Sequence, residues 1–267
     1  MLTDAHCHPF DLLRYLGDAE ERRRRMNVAC AANSWNREQF EYHEALGRKA
    51  QEEGAPPVIP CFAVHPQLPA SQKTFGGHLD LMAELAAEGR LGALGETGFD
   101  LYNDAYRATE KIQDEIFTLH LETALRYGLP LVLHVRRAMH KVFACTGRLK
   151  KLPAVIFHSW PGTLGEGEAL LRRGVNGYFS FGASVLTNHK EARHCCAALP
   201  AERLLLETDA PYQPLRARAF SGWEDLPLIC RGAADLRNEA GSPGGTPEEL
   251  EALAEANFFR AFQRPAF

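Results

Sequence analysis

Short apolar runs alternate with longer stretches of helical periodicity from one end of the chain to the other. The runs predict strands at residues 1–6, 27–31, 58–64, 91–96, 131–135, 154–158, 177–181 and 204–209. Between them, amphipathic patterning predicts helices over 36–53, 77–89, 107–127, 137–150, 163–173 and 188–198, and then over 223–239 and 246–262. Asn36 stands where the first of these should begin, and Thr246-Pro247-Glu248-Glu249 puts proline at a first helical position with acids in the first turn. Gly54, Gly89, Gly128 and Gly174 fall where helices should stop in a left-handed cap.

Strands and helices in strict alternation imply βαβ units and a parallel sheet. Eight strands are the number that closes a (β/α)8 TIM barrel, expected here as a single domain over 1–267. The rival, an open doubly wound sheet, usually carries a glycine-rich phosphate fingerprint after its first strand. His6-Cys7-His8-Pro9 stands there instead. The glycine- and proline-bearing stretch 241–246 reads as a loop between two C-terminal helices.

Composition narrows the class. With 45% hydrophobic residues among 267, a large core is available, and a net charge of -4 offers no global basic field for wrapping a long duplex. Seven cysteines without a C-x-x-C pair argue against a zinc ribbon and for reduced thiols. The first residues form no charged-then-apolar leader, and no apolar run approaches the ~20 residues of a membrane span. The expected setting is cytoplasmic, with no membrane and no obligate protein partner.

In such barrels the chemistry lies at the C-terminal ends of the strands. Here His6 and His8 end the first predicted strand, His65 the third, Glu96 the fourth, His134 the fifth, His158 the sixth and Asp209 the eighth. Asp4-x-His6-x-His8 has the two-residue period that places all three on one face of a strand, with Cys7 on the other. Alone, that motif reads equally as two strand histidines or as two ligands of one ion. Asp4, one pleat deeper, is expected to orient an imidazole. Glu96 lies between Gly95 and Thr97-Gly98, where small neighbours let the backbone crowd a site; its carboxylate can bridge two ions. Asp100 reads as a loop or cap residue. His134-Val135-Arg136 alternates, so Arg136 shares the imidazole's face and suits a phosphate or carboxylate, or else a surface ion pair. Asp209 can ligate an ion and take a proton from water, with Glu207 deeper on the same face; His65 can touch a substrate oxyanion. The charge run at 20–25 reads as a solvated helix face, and His43, His78, His120, His140, His189 and His194 as surface positions.

Taken together, these motifs resemble those of the TatD-type metal-dependent deoxyribonucleases, a branch of the amidohydrolase-like TIM barrels. The resemblance runs from Asp4-Ala5-His6-Cys7-His8 through Ala63-Val64-His65-Pro66, Gly95-Glu96-Thr97-Gly98 and His134-Val135-Arg136. It continues to His158, Glu207-Thr208-Asp209-Ala210-Pro211-Tyr212 and the closing Ala256-Asn257-Phe258-Phe259-Arg260. It implies a site for two divalent ions (Mg, Mn or Zn). His6, His8 and Asp209 would hold one, Glu96 would bridge, and His134 and His158 would complete the second. It further implies exonuclease-type hydrolysis of DNA ends or single strands by a metal-bound hydroxide, with Asp209 and Glu96 catalytic and His65 and Arg136 on the substrate.

An amidohydrolase cleaving a small ester, lactone or amide is the first alternative, although such enzymes often carry a bridging lysine where Glu96 stands. A non-catalytic, metal-stabilised partner protein is the second. Three departures from the family pattern concern substrate more than metal. Arg137 stands where an acid is usual, Trp160 where phenylalanine is usual, and 213–224 replaces a basic, asparagine-bearing loop with one holding Arg216 and Arg218. Tyr102, Trp160 and Trp223 are the expected stacking partners for bases.

Overall fold

A computed structural model of the chain describes residues 1–264; residues 265–267, the end of the expected 1–267 domain, lie outside the described residues. Eight strands form: β1 (Leu2–Cys7), β2 (Val28–Ser34), β3 (Val58–Phe62), β4 (Ala93–Asp100), β5 (Leu131–Arg136), β6 (Val155–Phe157), β7 (Gly177–Phe181) and β8 (Leu204–Leu206). They pair in sequence order, each neighbour parallel to the next. Helices α1 (Pro9–Leu12) and α2 (Ala19–Arg25) follow β1, α3 (Arg37–Glu52) follows β2, and α4 (Gly76–Ala87) follows β3. After β4 come α5 (Asp104–Arg107) and α6 (Glu110–Tyr127), after β5 α7 (Met139–Leu149), after β6 α8 (Leu164–Arg172), and after β7 α9 (Lys190–Ala198). The chain ends with α10 (Leu226–Glu239) and α11 (Pro247–Ala261). This is the expected (β/α)8 TIM barrel.

The caps behave as their residue types demand. The Asn36 side chain accepts from Gln39 N–H, Thr246 accepts from Glu249 N–H, and Gly128 ends α6 at φ 64°.

The strands read as unbroken apolar runs because both their faces are buried. Val132, Ile156 and Leu205 point into an inner cluster with Ala5, Ala29, Ala31 and Ala93, while their neighbours Leu131, Leu133, Val155, Phe157, Leu204 and Leu206 pack outward beneath the helices. Small alanines suit the narrow interior, and Phe258 and Phe262 from the α11 end complete the inner cluster.

Two irregularities re-aim side chains at the site. The β4–β5 register shifts between Leu94 and Thr97. Strict alternation from inward Ala93 would turn Glu96 outward; the shift brings it inside. The β1–β2 register shifts between Asp4 and Cys7, so Ala5 joins the inner cluster and Cys7 packs with Val28 and Cys30. The single-face alternation expected for Asp4, His6 and His8 therefore breaks.

The seam between β8 and β1 is closed by other means than a strand ladder. Asp209 N–H donates to the His6 carbonyl (2.9 Å) and His8 N–H to the Ala210 carbonyl (2.7 Å). Asp4 accepts from the Thr208 hydroxyl (2.6 Å) and backbone N–H (2.9 Å). Asp4 is thus a joint between first and last strands, and its carboxylate bonds to no imidazole ring, contrary to expectation.

Other polar expectations also change. Arg23 in the charge run is fully buried, paired to Glu20 (2.7 Å) and donating to the Val28 and Pro56 carbonyls. Composition alone cannot say which of four consecutive arginines faces the barrel. His43 and His120, expected at the surface, are completely buried. Phe10 N–H donates to His43 Nε2 (3.1 Å) and Val64 N–H to His120 Nε2 (2.9 Å). Each imidazole is a buried acceptor: His43 ties α1 to α3, and His120 ties the segment after β3 to α6.

Candidate metal centre

Glu96 is the hub of the barrel's C-terminal end. Its Oε2 lies 3.2 Å from His6 Nε2; its Oε1 lies 2.6 Å from His134 Nδ1, 3.3 Å from His65 Nε2 and 3.7 Å from His158 Nε2. Asp209 faces it across the site, with Oδ1 3.4 Å from His8 Nε2 and 3.7 Å from His6 Nε2, and Oδ2 3.8 Å from His158 Nε2. Three sets of donors, His6–His8–Asp209, His6–Glu96–His158 and His65–Glu96–His134, each have their ligand atoms within 4.8 Å of one another. All six expected donors, and His65 besides, gather in these three sets, which overlap at His6 and Glu96.

Electrostatics follow from that crowding. Burial alone would raise the Glu96 carboxyl, but His65, His6 and His158 hold it well below its usual range. Burial is likewise outweighed at Asp209, chiefly by His158. His6 and His158 stack and shift oppositely: burial and the neighbouring His158 lower His6, whereas Glu207, Glu96 and Asp209 overcome burial and push His158 up to about 10.

The nitrogens turned away from the centre reveal which face of each ring is available. His158 Nδ1 lies 3.0 Å from Glu207 Oε1, which also accepts from the Ser159 backbone (2.8 Å) and hydroxyl (2.7 Å). His134 Nε2 bonds to Asp100 Oδ2 (3.1 Å). With an ion at the centre, a carboxylate on the far nitrogen would take the neutral ring's N–H and leave the near nitrogen's lone pair for the metal. His65 is the reverse: Gln67 N–H donates to its Nδ1 (3.2 Å), so in the neutral ring the proton resides on Nε2. Buried His6 Nε2 and His8 Nδ1 make no hydrogen bond.

Two residues here escaped the sequence reading. Asp100, expected as a loop residue, is fully buried at the end of β4; it accepts from Gln67 (2.7 Å) and Tyr102 N–H (2.9 Å) as well as orienting His134. The period Glu96-Gly98-Asp100 along β4 was the available signal. Asn33 approaches His6 Nδ1 (3.1 Å), the position expected of Asp4; nothing in its local sequence distinguishes it.

The centre opens into a cavity of about 1100 Å³, with Arg136, Arg137, Tyr102, Trp35, Trp160 and Tyr212 among its lining. Trp160 is only 3% exposed and Trp223 1%, with its Nε1 bonded to the Ala19 carbonyl, so neither offers a face to a base. Arg218 is engaged by Asp225.

The family model for TatD-related DNases matches residues 3–263. The chain belongs to this family. TatD relatives include a protein of Cronobacter sakazakii named as a 3'-5' ssDNA/RNA exonuclease, 34% identical over 193 residues, 68% of this chain and 69% of that one. Another, from Mycobacterium tuberculosis, is named an uncharacterized metal-dependent hydrolase; it is 30% identical over 215 residues, 77% and 76% of the two chains. Among solved structures, a TatD homologue from Escherichia coli superposes with a TM-score of 0.82 at 25% identity, covering 98% of this chain and 97% of that one. As a TatD-family protein, the chain is a metal-dependent hydrolase. No described helix is long and apolar enough to cross a membrane.

Proposed function

We propose that the protein is a two-metal phosphodiesterase that removes nucleotides from the ends of single-stranded DNA or RNA. The observation that carries this reading is the sharing of one carboxylate, Glu96, between histidines on both sides of the strand-end centre. The donor set fits divalent ions: His6 Nε2, buried without a hydrogen-bond partner, faces the carboxylates of Glu96 and Asp209, and carboxylates stand at the outward nitrogens of His134 and His158.

In this reading His6, His8 and Asp209 would hold one ion and His134 with His158 the second, with the Glu96 carboxylate shared between the two groups. His65, its proton on Nε2, serves as a donor to a phosphoryl oxygen instead. Divalent ions, when bound, would supply charge neutralisation at phosphorus and lower the pKa of a water. The chain's own groups do the rest. Asp209 Oδ2 accepts the proton of the attacking water, and Gln213, donating to that oxygen (2.7 Å), holds its orientation. Glu207 and Asp100 keep the His158 and His134 rings in register. Arg136 meets a substrate phosphate at the cavity mouth.

The Cronobacter sakazakii relative's stated activity supports single strands as substrate, as does a cavity that admits a chain end. The test is hydrolysis of end-labelled single- and double-stranded DNA and RNA by protein loaded with Mg, Mn or Zn, beside a panel of small esters. Stepwise loss of terminal nucleotides that chelator abolishes is expected. Turnover of small esters alone, or full nuclease activity in Asp209→Asn protein, overturns the reading.

A further inference from the structure

From the centre outward runs a continuous series of contacts. Glu96 meets His134, His134 meets Asp100, and Arg136 Nη1 lies 3.8 Å from Asp100 Oδ2. Arg136 then sets its guanidinium over the Tyr102 ring, 4.0 Å from the centroid, and Arg137 sets a second guanidinium over the same ring at 4.7 Å. Arg137 also donates to the Tyr102 carbonyl (3.0 Å). Both arginines are exposed and line the cavity.

Two like charges gathered on one ring repel each other, and the ring repays this only in part. The nearest carboxylate, Asp100, is already engaged by Gln67, the Tyr102 N–H and His134. Arg137 has no carboxylate partner among the described residues. It also holds a left-handed backbone, φ 56°, unusual for a residue without a glycine's freedom and one that turns it back over Tyr102. This excess positive charge, preorganised at the mouth of a cavity and displayed on planar N–H forks, matches phosphate oxygens.

We infer that Arg136, Tyr102 and Arg137 form a second phosphate site, with Arg137 as a specificity-determining residue. It grips a backbone phosphate of a single-stranded polynucleotide other than the one delivered to Glu96. This rests on the phosphodiesterase reading for its substrate, but it concerns binding alone. It favours chains with at least two phosphates over diesters with one.

The test is equilibrium binding of a 5'-fluorescein-labelled DNA hexanucleotide in the presence of chelator, followed by anisotropy across a salt series. Arg137→Asn tolerates the left-handed backbone and removes the charge; Arg137→Lys keeps the charge. Expected in R137N are a dissociation constant raised on the order of tenfold at low salt and a salt slope shallower by about 0.7. R137K should retain the wild-type slope. A hexanucleotide with an uncharged methylphosphonate backbone should bind wild type and R137N alike. The inference is overturned if R137N matches wild type on DNA, if R137K loses as much slope as R137N, or if the uncharged strand is weakened equally. Wild-type protein that binds DNA through Arg137 yet hydrolyses it with none of the three metals sinks the phosphodiesterase reading and leaves the site standing; efficient hydrolysis with no Arg137 dependence of binding does the opposite.

Discussion

His6 and His158 stack with ring centroids 3.6 Å apart and planes inclined by 25°, while Glu96 and Asp209 lie within 3.8 Å of both. Two imidazolium ions cannot share that spacing at low cost, so divalent charge between the carboxylates satisfies the cluster better than protons do. Saturating Mn should therefore raise the melting temperature; an ion at 100 times its Kd adds about 2.7 kcal/mol. In Glu96→Ala protein most of that rise should vanish and hydrolysis should fall by on the order of 10²–10³. Equal metal-induced stabilisation in the two proteins, by scanning calorimetry, would contradict the bridging role.

Glu207 touches the candidate centre through His158 (3.0 Å) and Ser159 (2.8 and 2.7 Å). Replacing it by Gln exchanges an acceptor for a mixed amide and loosens the His158 ring. Metal affinity is expected to drop by about 10–100-fold with the barrel intact. Calorimetric titration of the metal, beside far-UV circular dichroism, checks both halves of the statement.

Gly98 carries φ 137°, and a Cβ there would meet the His134 carbonyl oxygen at 2.2 Å. Gly98→Ala must push β4 from β5 where the two strands present Glu96 and His134. A loss of at least about 2–3 kcal/mol is expected in urea unfolding, with impaired metal uptake. Gly128→Ala, at φ 64° in open space, should cost about 1–2 kcal/mol and leave the metal untouched.

His43 and His120 supply a pH dependence through groups that ligate no ion in the proposed site. Burial lowers His43 to about 3, helped by His8, and lowers His120 to about 4 against the Ile116 carbonyl. Protonation would also cancel the acceptor used by Phe10 or Val64. The unfolded chain titrates near 6.5, so between there and about 4 it binds protons that the folded state refuses. Stability is complete above 6.5 and should decline as pH falls, by at most about 1.4 kcal/mol per pH unit for each histidine. A His43→Gln, His120→Gln double variant should show a flatter profile over that window; an unchanged profile by urea titration would refute the assignment.

Much of this architecture was legible beforehand because it depends on pattern. Continuous apolar strands, helix stops at glycine, and histidines at strand ends survive translation into three dimensions almost unaltered. The site's inner layer was harder to read. Asp100 and Asn33 matter through contacts with rings on other strands, and Asp4 was misjudged because an irregularity in β1 broke the alternation on which its role was argued. Buried His43, His120 and Arg23 resemble surface residues in any one-dimensional view, since the backbone groups that help hold them (Phe10 and Val64 N–H, the Val28 and Pro56 carbonyls) come from outside their own helices.

The joint between Asp4 and Thr208 links residues 204 positions apart, and His6 and Asp209 meet across the same seam. A ribosome-bound chain that has not yet delivered β8 and Asp209 lacks the carboxylate that faces Glu96 and the whole of the closing seam. If Asp209 takes the water's proton as proposed, hydrolysis waits for the final strand, and a fragment truncated before Asp209 is expected to be inactive.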